Sequence, residues 1–98
     1  LGGEEYAVFF YGADASDAQS MLGELLSRIR ALRFHDHLGR PIDLQVTASC
    51  GMASVPSGVS ATRNGLLMAA DRQLYIAKRS GRDRLCWELY TGDRQVPA

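Results

Sequence analysis

Apolar positions in this chain recur with two different periods, and the changes between them mark five segments. Tyr6-Ala7-Val8-Phe9-Phe10-Tyr11 is a short unbroken apolar run, which predicts a strand buried on both faces. After a loop from Gly12 to Ala15, the residues Ala18, Leu22, Leu25, Ile29 and Leu32 recur at steps of four and three. They predict one face of a helix spanning roughly Asp17 to Arg33. Ser16 and Gln19 have the spacing of a capping box at its start, and Gln19, Glu24, Ser27 and Arg30 fall toward water. Gly23 inside this helix costs about 1 kcal/mol relative to alanine, so a close contact is expected there.

Phe34 to Pro41 reads as a loop or hairpin, with Gly39 and Pro41 supplying the turn chemistry. In the next segment Ile42, Leu44, Val46 and Ala48 alternate with Asp43, Gln45, Thr47 and Ser49, predicting a long strand from Ile42 to Ala53. Gly51 within it suggests a bulge or a close backbone approach. Pro56 and Gly58 break the pattern. A second helix is predicted from Asn64 to Ser80, capped by Ser60 or Thr62, apolar along Leu67, Ala70, Leu74 and Ala77, and stopped by Gly81. Leu85 to Leu89 reads as a closing strand, and Thr91 to Ala98 as a polar, frayed tail. Strand, helix, strand, helix, strand predicts an α/β sandwich with helices on a mixed or antiparallel sheet.

Ninety-eight residues suit one domain, residues 1–98, with a modest core. Apolar residues make up 46% and charged residues 22%, a globular balance. Eleven basic and eleven acidic side chains cancel, so no global field draws the chain to nucleic acid or an anionic membrane, and no nucleic-acid partner is expected. Any anion site must be a local cluster. Cys50 and Cys86 sit in apolar, strand-like runs and are expected as reduced thiols. No leader and no apolar run of membrane-spanning length is visible, which predicts a cytoplasmic location. The chain does not begin with Met and is expected to be a piece of something longer.

Candidate chemistry sits at both ends. Leu1-Gly2-Gly3-Glu4-Glu5-Tyr6 combines two glycines, which permit a tight hairpin and a close anion, with two carboxylates that offer hard oxygen ligands for Mg²⁺. On these residues alone, a plain turn with solvated acids is the preferred reading. Lys78 and Arg82 lie near a helix C-terminus, where basic side chains are ordinary because the macrodipole is negative. That dipole disfavours a phosphate, so any anion there must be held by the side-chain charges. His35 and His37 have only Asp36 beside them, too few ligands for a metal site, and a surface hairpin is expected instead.

Three stretches taken together change the balance. The opening turn is followed by Thr47-Ala48-Ser49-Cys50-Gly51-Met52-Ala53. Then comes Ala70-Asp71-Arg72-Gln73-Leu74-Tyr75-Ile76-Ala77-Lys78-Arg79-Ser80-Gly81-Arg82-Asp83-Arg84-Leu85. In this order they resemble the GGDEF-domain family, the diguanylate cyclases, whose patterns are G-G-[D/E]-E-F, T-x-S-x-G-V-A and A-D-x-x-L-Y-x-A-K-x-x-G-R-N-x-V. The resemblance covers essentially the whole chain but only the C-terminal part of the family's domain. It implies an α+β fold: a palm-like, mixed and largely antiparallel sheet flanked by helices, like that of nucleotidyl cyclases, incomplete at its N-terminus.

The resemblance also implies a function. Two such domains face each other as a homodimer, each holding one GTP, and condense the pair to cyclic di-GMP and two pyrophosphates with Mg²⁺ or Mn²⁺ as cofactor. Glu4 matches the catalytic acid and metal ligand, and Glu5 its supporting acid. Gly2 and Gly3 match the close approach to nucleotide, and Lys78 and Arg82 the contacts to terminal phosphates. An upstream sensor or regulatory domain, with or without a membrane tether, is implied in the parent. There are departures. Tyr6 replaces Phe, Asp83 stands where Asn is usual, and the family's first strand with its metal-binding Asp would precede Leu1. The isolated fragment is therefore expected to be inactive. The alternative is a degenerate domain that binds GTP, or that regulates or dimerises without catalysis.

Overall fold

The computed structural model describes residues 5–10, 12 and 14–92. Its elements are α1 (Ala15–Arg30), β1 (Phe34–His35), β2 (Pro41–Ile42), β3 (Cys50–Ser54), α2 (Arg63–Arg79) and β4 (Leu85–Leu89). The fold is α+β with a partial sheet, as the order of segments and the family resemblance both predict. Among the described residues the strands form two separate pairs. One is the short antiparallel hairpin β1–β2, and the other is the parallel pair β3–β4 with α2 as its crossover. Parallel neighbours need a long connection that returns the chain to the same end, and α2 supplies it.

The β3–α2–β4 unit holds most of the packing. Ala69 and Ala77 of α2 are fully buried and Met52 of β3 nearly so. Small side chains on the helix let it lie close to the strands, and Gly51 takes this furthest. A Cβ added to Gly51 would overlap the backbone N of Leu74 and O of Ala70, and would stand 2.7 Å from the Leu74 Cα. The close approach expected at Gly51 is therefore present, and it is the backbone of α2 that approaches. On α1 the buried residues are Ala18 and Leu26, while Leu25 and Leu32, predicted for the inner face, are about half exposed. The face is rotated from the predicted one because α1 packs lightly, mainly on β3, rather than across a full sheet.

Helix ends follow local chemistry. The Thr62 side chain accepts from the Gly65 N–H at 3.0 Å and caps α2, as expected. At the other end Ser80 is the C-cap and Gly81 follows at φ 119°, while the Arg82 N–H donates to the Ala77 carbonyl at 2.9 Å. This is a Schellman closure, and it confirms Gly81 as the helix stop. α1 begins two residues earlier than predicted. Asp14 occupies its N-cap without a side-chain capping bond and Ser16 lies inside the helix, so the capping box does not form. Gly23 has no atom within 4 Å of an added Cβ, so the close contact expected there is absent.

Two predicted strands are corrected. Residues 6–10 carry no strand, and Tyr6 and Val8 are 83% and 70% exposed rather than buried, while Tyr11 lies outside the described residues. The apolar run has the composition of a strand, but no described segment lines up to pair with it, and a ladder needs a partner. The run from Ile42 to Ala53 is also interrupted. The Leu44 N–H donates to the Ile42 carbonyl at 2.9 Å, a three-residue turn that ends β2, and pairing resumes only at Cys50. The closing strand runs from Leu85 to Leu89 as predicted. Of the predicted tail, residues 93–98 lie outside the described residues.

Candidate functional site

The spacing of Asp71, Leu74, Tyr75 and Lys78 places all four on one face of α2, at i, i+3, i+4 and i+7. The described segment that begins at Glu5 reaches this face. There the Lys78 Nζ donates to Glu5 Oε2 at 2.9 Å, across 73 residues of sequence. Glu5, Asp71, Leu74, Tyr75 and Lys78 line a hollow of about 200 Å³. Pockets for whole small molecules run from about 300 Å³ upward, so the described walls enclose less than one such molecule. Glu5 and Lys78, which the residue pattern leaves unconnected, thus meet at one place.

Leu74 gives the hollow an apolar wall, and Tyr75 stands exposed at its rim. The Arg79 guanidinium lies over the Tyr75 ring, 5.7 Å from its centroid, and its Nη1 donates to the phenol oxygen at 3.4 Å. Asp71 brings a second carboxylate beside the Glu5–Lys78 pair. Asp71 and Tyr75 belong to the matched motif but carried no assigned role there, and the geometry adds them to the lining of the hollow. Their helical distance from Lys78, two turns and one turn back, is the signal that finds them.

Arg82 is the other predicted cation. It lies past the end of α2 at φ 63°, and Asp83 follows at φ 49°. Among the described residues the Arg82 guanidinium has no partner, whereas its carbonyl accepts from Arg84 Nε at 3.0 Å. The Asp83 carboxylate, which the sequence sets near any phosphate, instead accepts from Arg30 Nε of α1 at 2.6 Å. Glu4, Gly2 and Gly3 lie outside the described residues, so their assignments are not tested by the geometry.

The donor set bears on a divalent metal. Among the described residues no three of His, Cys, Asp and Glu cluster. Mg²⁺ and ions like it, however, keep several waters and take one or two carboxylates plus substrate phosphates. Glu5 and Asp71 on one hollow are oxygen donors of that kind, with Glu5 also engaged by the Lys78 ammonium.

Two other polar groups are structural. In the β1–β2 hairpin, Asp36 Oδ1 accepts from the Leu38 and Arg40 N–H groups at 2.9 Å each, and Oδ2 accepts from Arg40 Nε at 2.8 Å. The backbone bond from Arg40 leads the effects that hold the Asp36 carboxyl below its ordinary value. The segment with His35 and His37 is a surface hairpin whose acid is committed to the turn. On the far side of the βαβ unit, Glu88 of β4 accepts from Arg72 Nε and Nη2 at 3.1 and 2.9 Å and from Gln73 Nε2 at 2.8 Å. The Arg72 bonds, then that from Gln73, lower the Glu88 carboxyl. Cys50 and Cys86 are free thiols, and burial raises the thiol of Cys50.

Comparison with known proteins gives a consistent picture. The family model described as diguanylate cyclase, GGDEF domain, matches residues 1–84. The bifunctional diguanylate cyclase/cyclic di-GMP phosphodiesterase MucR of Pseudomonas aeruginosa is 31% identical over 88 residues, which is 89% of this chain and 12% of that protein. Diguanylate cyclase DgcP of the same organism is 34% identical over 85 residues, 87% of this chain and 12% of its own length. The chain thus spans about 12% of the curated relatives it matches. No solved structure matches it significantly.

Proposed function

This chain belongs to the GGDEF family, and from that premise we propose that it is the C-terminal part of a diguanylate cyclase domain condensing two GTP molecules to cyclic di-GMP and two pyrophosphates. The single observation that supports this most is the Glu5–Lys78 pair at the hollow on α2. It pairs Glu5, beside the acidic motif, with Lys78, one of the two basic residues that the family pattern assigns to phosphate. In the reaction each nucleotide's 3′-oxygen forms a bond to the α-phosphorus of the other. The α–β phosphoanhydride bond breaks, pyrophosphate leaves, and the hydroxyl proton passes to a carboxylate.

In this reading Glu4 takes that proton and holds the divalent ion, and Glu5 supports it at the edge of the hollow. Gly2 and Gly3 let the backbone approach the nucleotide. Lys78 exchanges Glu5 for a terminal phosphate when nucleotide enters, and Arg82, unpartnered among the described residues, takes another. Bound Mg²⁺ or Mn²⁺ supplies charge neutralisation on the triphosphate. The partner is a second copy of the domain, because each active site provides only one of the two nucleotides. The relatives' much greater length supports further domains in the parent, and the free thiols suit the reducing cytoplasm.

The test is turnover of GTP with Mg²⁺ by the natural-length protein, with product identified by chromatography and mass. Cyclic di-GMP is expected, and Glu4→Ala is expected to abolish it. Undiminished product from Glu4→Ala would remove the catalytic assignment. The isolated chain of 98 residues is expected to yield none. GTP binding by the natural-length protein with no turnover would favour the regulatory alternative.

A further inference from the structure

We propose that Arg30 and Asp83 act together as positioning residues that hold Arg82 toward the triphosphate, a role that rests on the phosphate-binding reading of Arg82. The observation is a run of three residues at positive φ after α2: Gly81 at 119°, Arg82 at 63° and Asp83 at 49°. For glycine this is inexpensive. For a long side chain such as arginine the left-handed region is unfavourable, and two such residues in succession persist only where surrounding bonds hold them.

Those bonds are present on both sides of Arg82. Its N–H donates to the Ala77 carbonyl at 2.9 Å, and its carbonyl accepts from Arg84 Nε at 3.0 Å. The next residue, Asp83, is tied by its side chain to Arg30 Nε at 2.6 Å. Just beyond, the Cys50 N–H donates to the Arg84 carbonyl at 2.9 Å and starts the β3–β4 ladder. The first, second and last of these bonds belong to the unit that α2 builds with its strands. The Arg30–Asp83 bond alone comes from α1, at its last turn.

The pair does two things at once. It fixes the backbone from which the Arg82 side chain leaves, so that only the side chain remains to be ordered when an anion arrives. It also covers the Asp83 charge with a guanidinium, so that a carboxylate one residue from Arg82 does not repel an incoming anion. The Arg30–Asp83 bond thus ties the end of α1 to the loop that follows α2.

The two effects predict an order among variants. Asp83→Asn keeps an oxygen for Arg30 and removes the carboxylate charge, so it should bind anions about as well as the natural residue. Asp83→Ala loses the tie but also the repelling charge. Arg30→Ala loses the tie and leaves the carboxylate bare, so it should be the weakest. The experiment is equilibrium binding of inorganic triphosphate to the natural-length protein, with the thermal midpoint and the hydrogen exchange of the Arg82 amide recorded for each variant. The expected losses are about threefold for Asp83→Ala and about tenfold for Arg30→Ala, modest because both side chains are partly solvated. Faster exchange at Arg82 should accompany both losses. If Arg82→Ala weakens binding but Arg30→Ala stays within twofold of the natural protein, the positioning role is overturned. If Arg82→Ala itself binds triphosphate unchanged, the phosphate-binding reading fails and the positioning role with it. A loss in Asp83→Asn as deep as that in Arg30→Ala would also overturn it.

Discussion

Replacing Gly51 with alanine tests how tightly α2 is seated, and the size of the effect follows from the distances. The added methyl would overlap the Leu74 N and Ala70 O and lie 2.7 Å from the Leu74 Cα, where ordinary contact begins at 3.4 Å. The obstacle is helix backbone, which cannot rotate aside as a side chain would. The helix must withdraw by about 1 Å, and a gap of that size forfeits roughly half of each dispersion contact along the seam. Overpacking costs about 1–3 kcal/mol when side chains can yield, so the upper end, about 3 kcal/mol, is expected here. For a domain of this size that corresponds to a fall in Tm of roughly 12–24 °C. Thermal unfolding followed by circular dichroism measures it. Gly23→Ala is the internal control, since nothing lies within 4 Å of its added methyl. Removing a helix-interior glycine should stabilise by roughly 0.5–1 kcal/mol and raise Tm by a few degrees. The same chemical change thus carries opposite signs at two positions. A Gly51→Ala midpoint within about 4 °C of the natural domain would refute the packing argument.

Thr62→Ala should lose the α2 cap and cost about 1 kcal/mol, read from the urea midpoint; no change would mean the cap bond is idle in solution. The hairpin should weaken in acid. The folded-state value of Asp36 is lowered, so its stabilisation is full above the ordinary carboxyl range and is lost as pH falls through the lowered value. Faster exchange of the Leu38 and Arg40 amides, beginning only below the ordinary value of 3.8, checks this, and exchange insensitive to that pH range would contradict it. In chelator, Glu5→Gln should tighten inorganic triphosphate by about two- to fivefold, because a competing carboxylate leaves the Lys78 ammonium. Unchanged affinity would take Glu5 out of the hollow's electrostatics.

Local rules made much of this legible in the sequence. Thr62, Gly81 and Leu85 to Leu89 act through neighbours a few residues away, and capping or strand chemistry names them directly. Gly51 was legible as a site of close approach, because glycine in a strand is otherwise costly. What the residue pattern concealed depends on distant partners. Tyr6 to Tyr11 and Ile42 to Ala53 have strand composition, yet pairing needs a neighbour that composition does not specify. The parallel sense of β3 and β4 was open for the same reason, since a helical connection allows either sense. The rotation of α1 toward Leu26 came from light packing that periodicity does not register. At the site, motif matching identified Lys78 and Glu5 without giving the contact between them. Asp71 and Tyr75 were in plain helical register with Lys78, but the Arg30–Asp83 bond, 53 residues apart, had no signal at all.

The Arg72–Glu88–Gln73 cluster has a bearing on how the sheet finds its alignment. Side chains on a strand alternate faces, so sliding β4 by one residue along β3 would turn Glu88 away from α2 and bring Trp87 or Leu89 in its place. Arg72 and Gln73 would then face an apolar side chain and lose every bond they make to β4. A slide by two residues would restore the face but break the Arg84–Cys50 bond that begins the ladder. The glutamate therefore serves as a vernier mark. Only one setting of the strand satisfies it, and that setting also fixes how much chain is left to turn the corner after the helix.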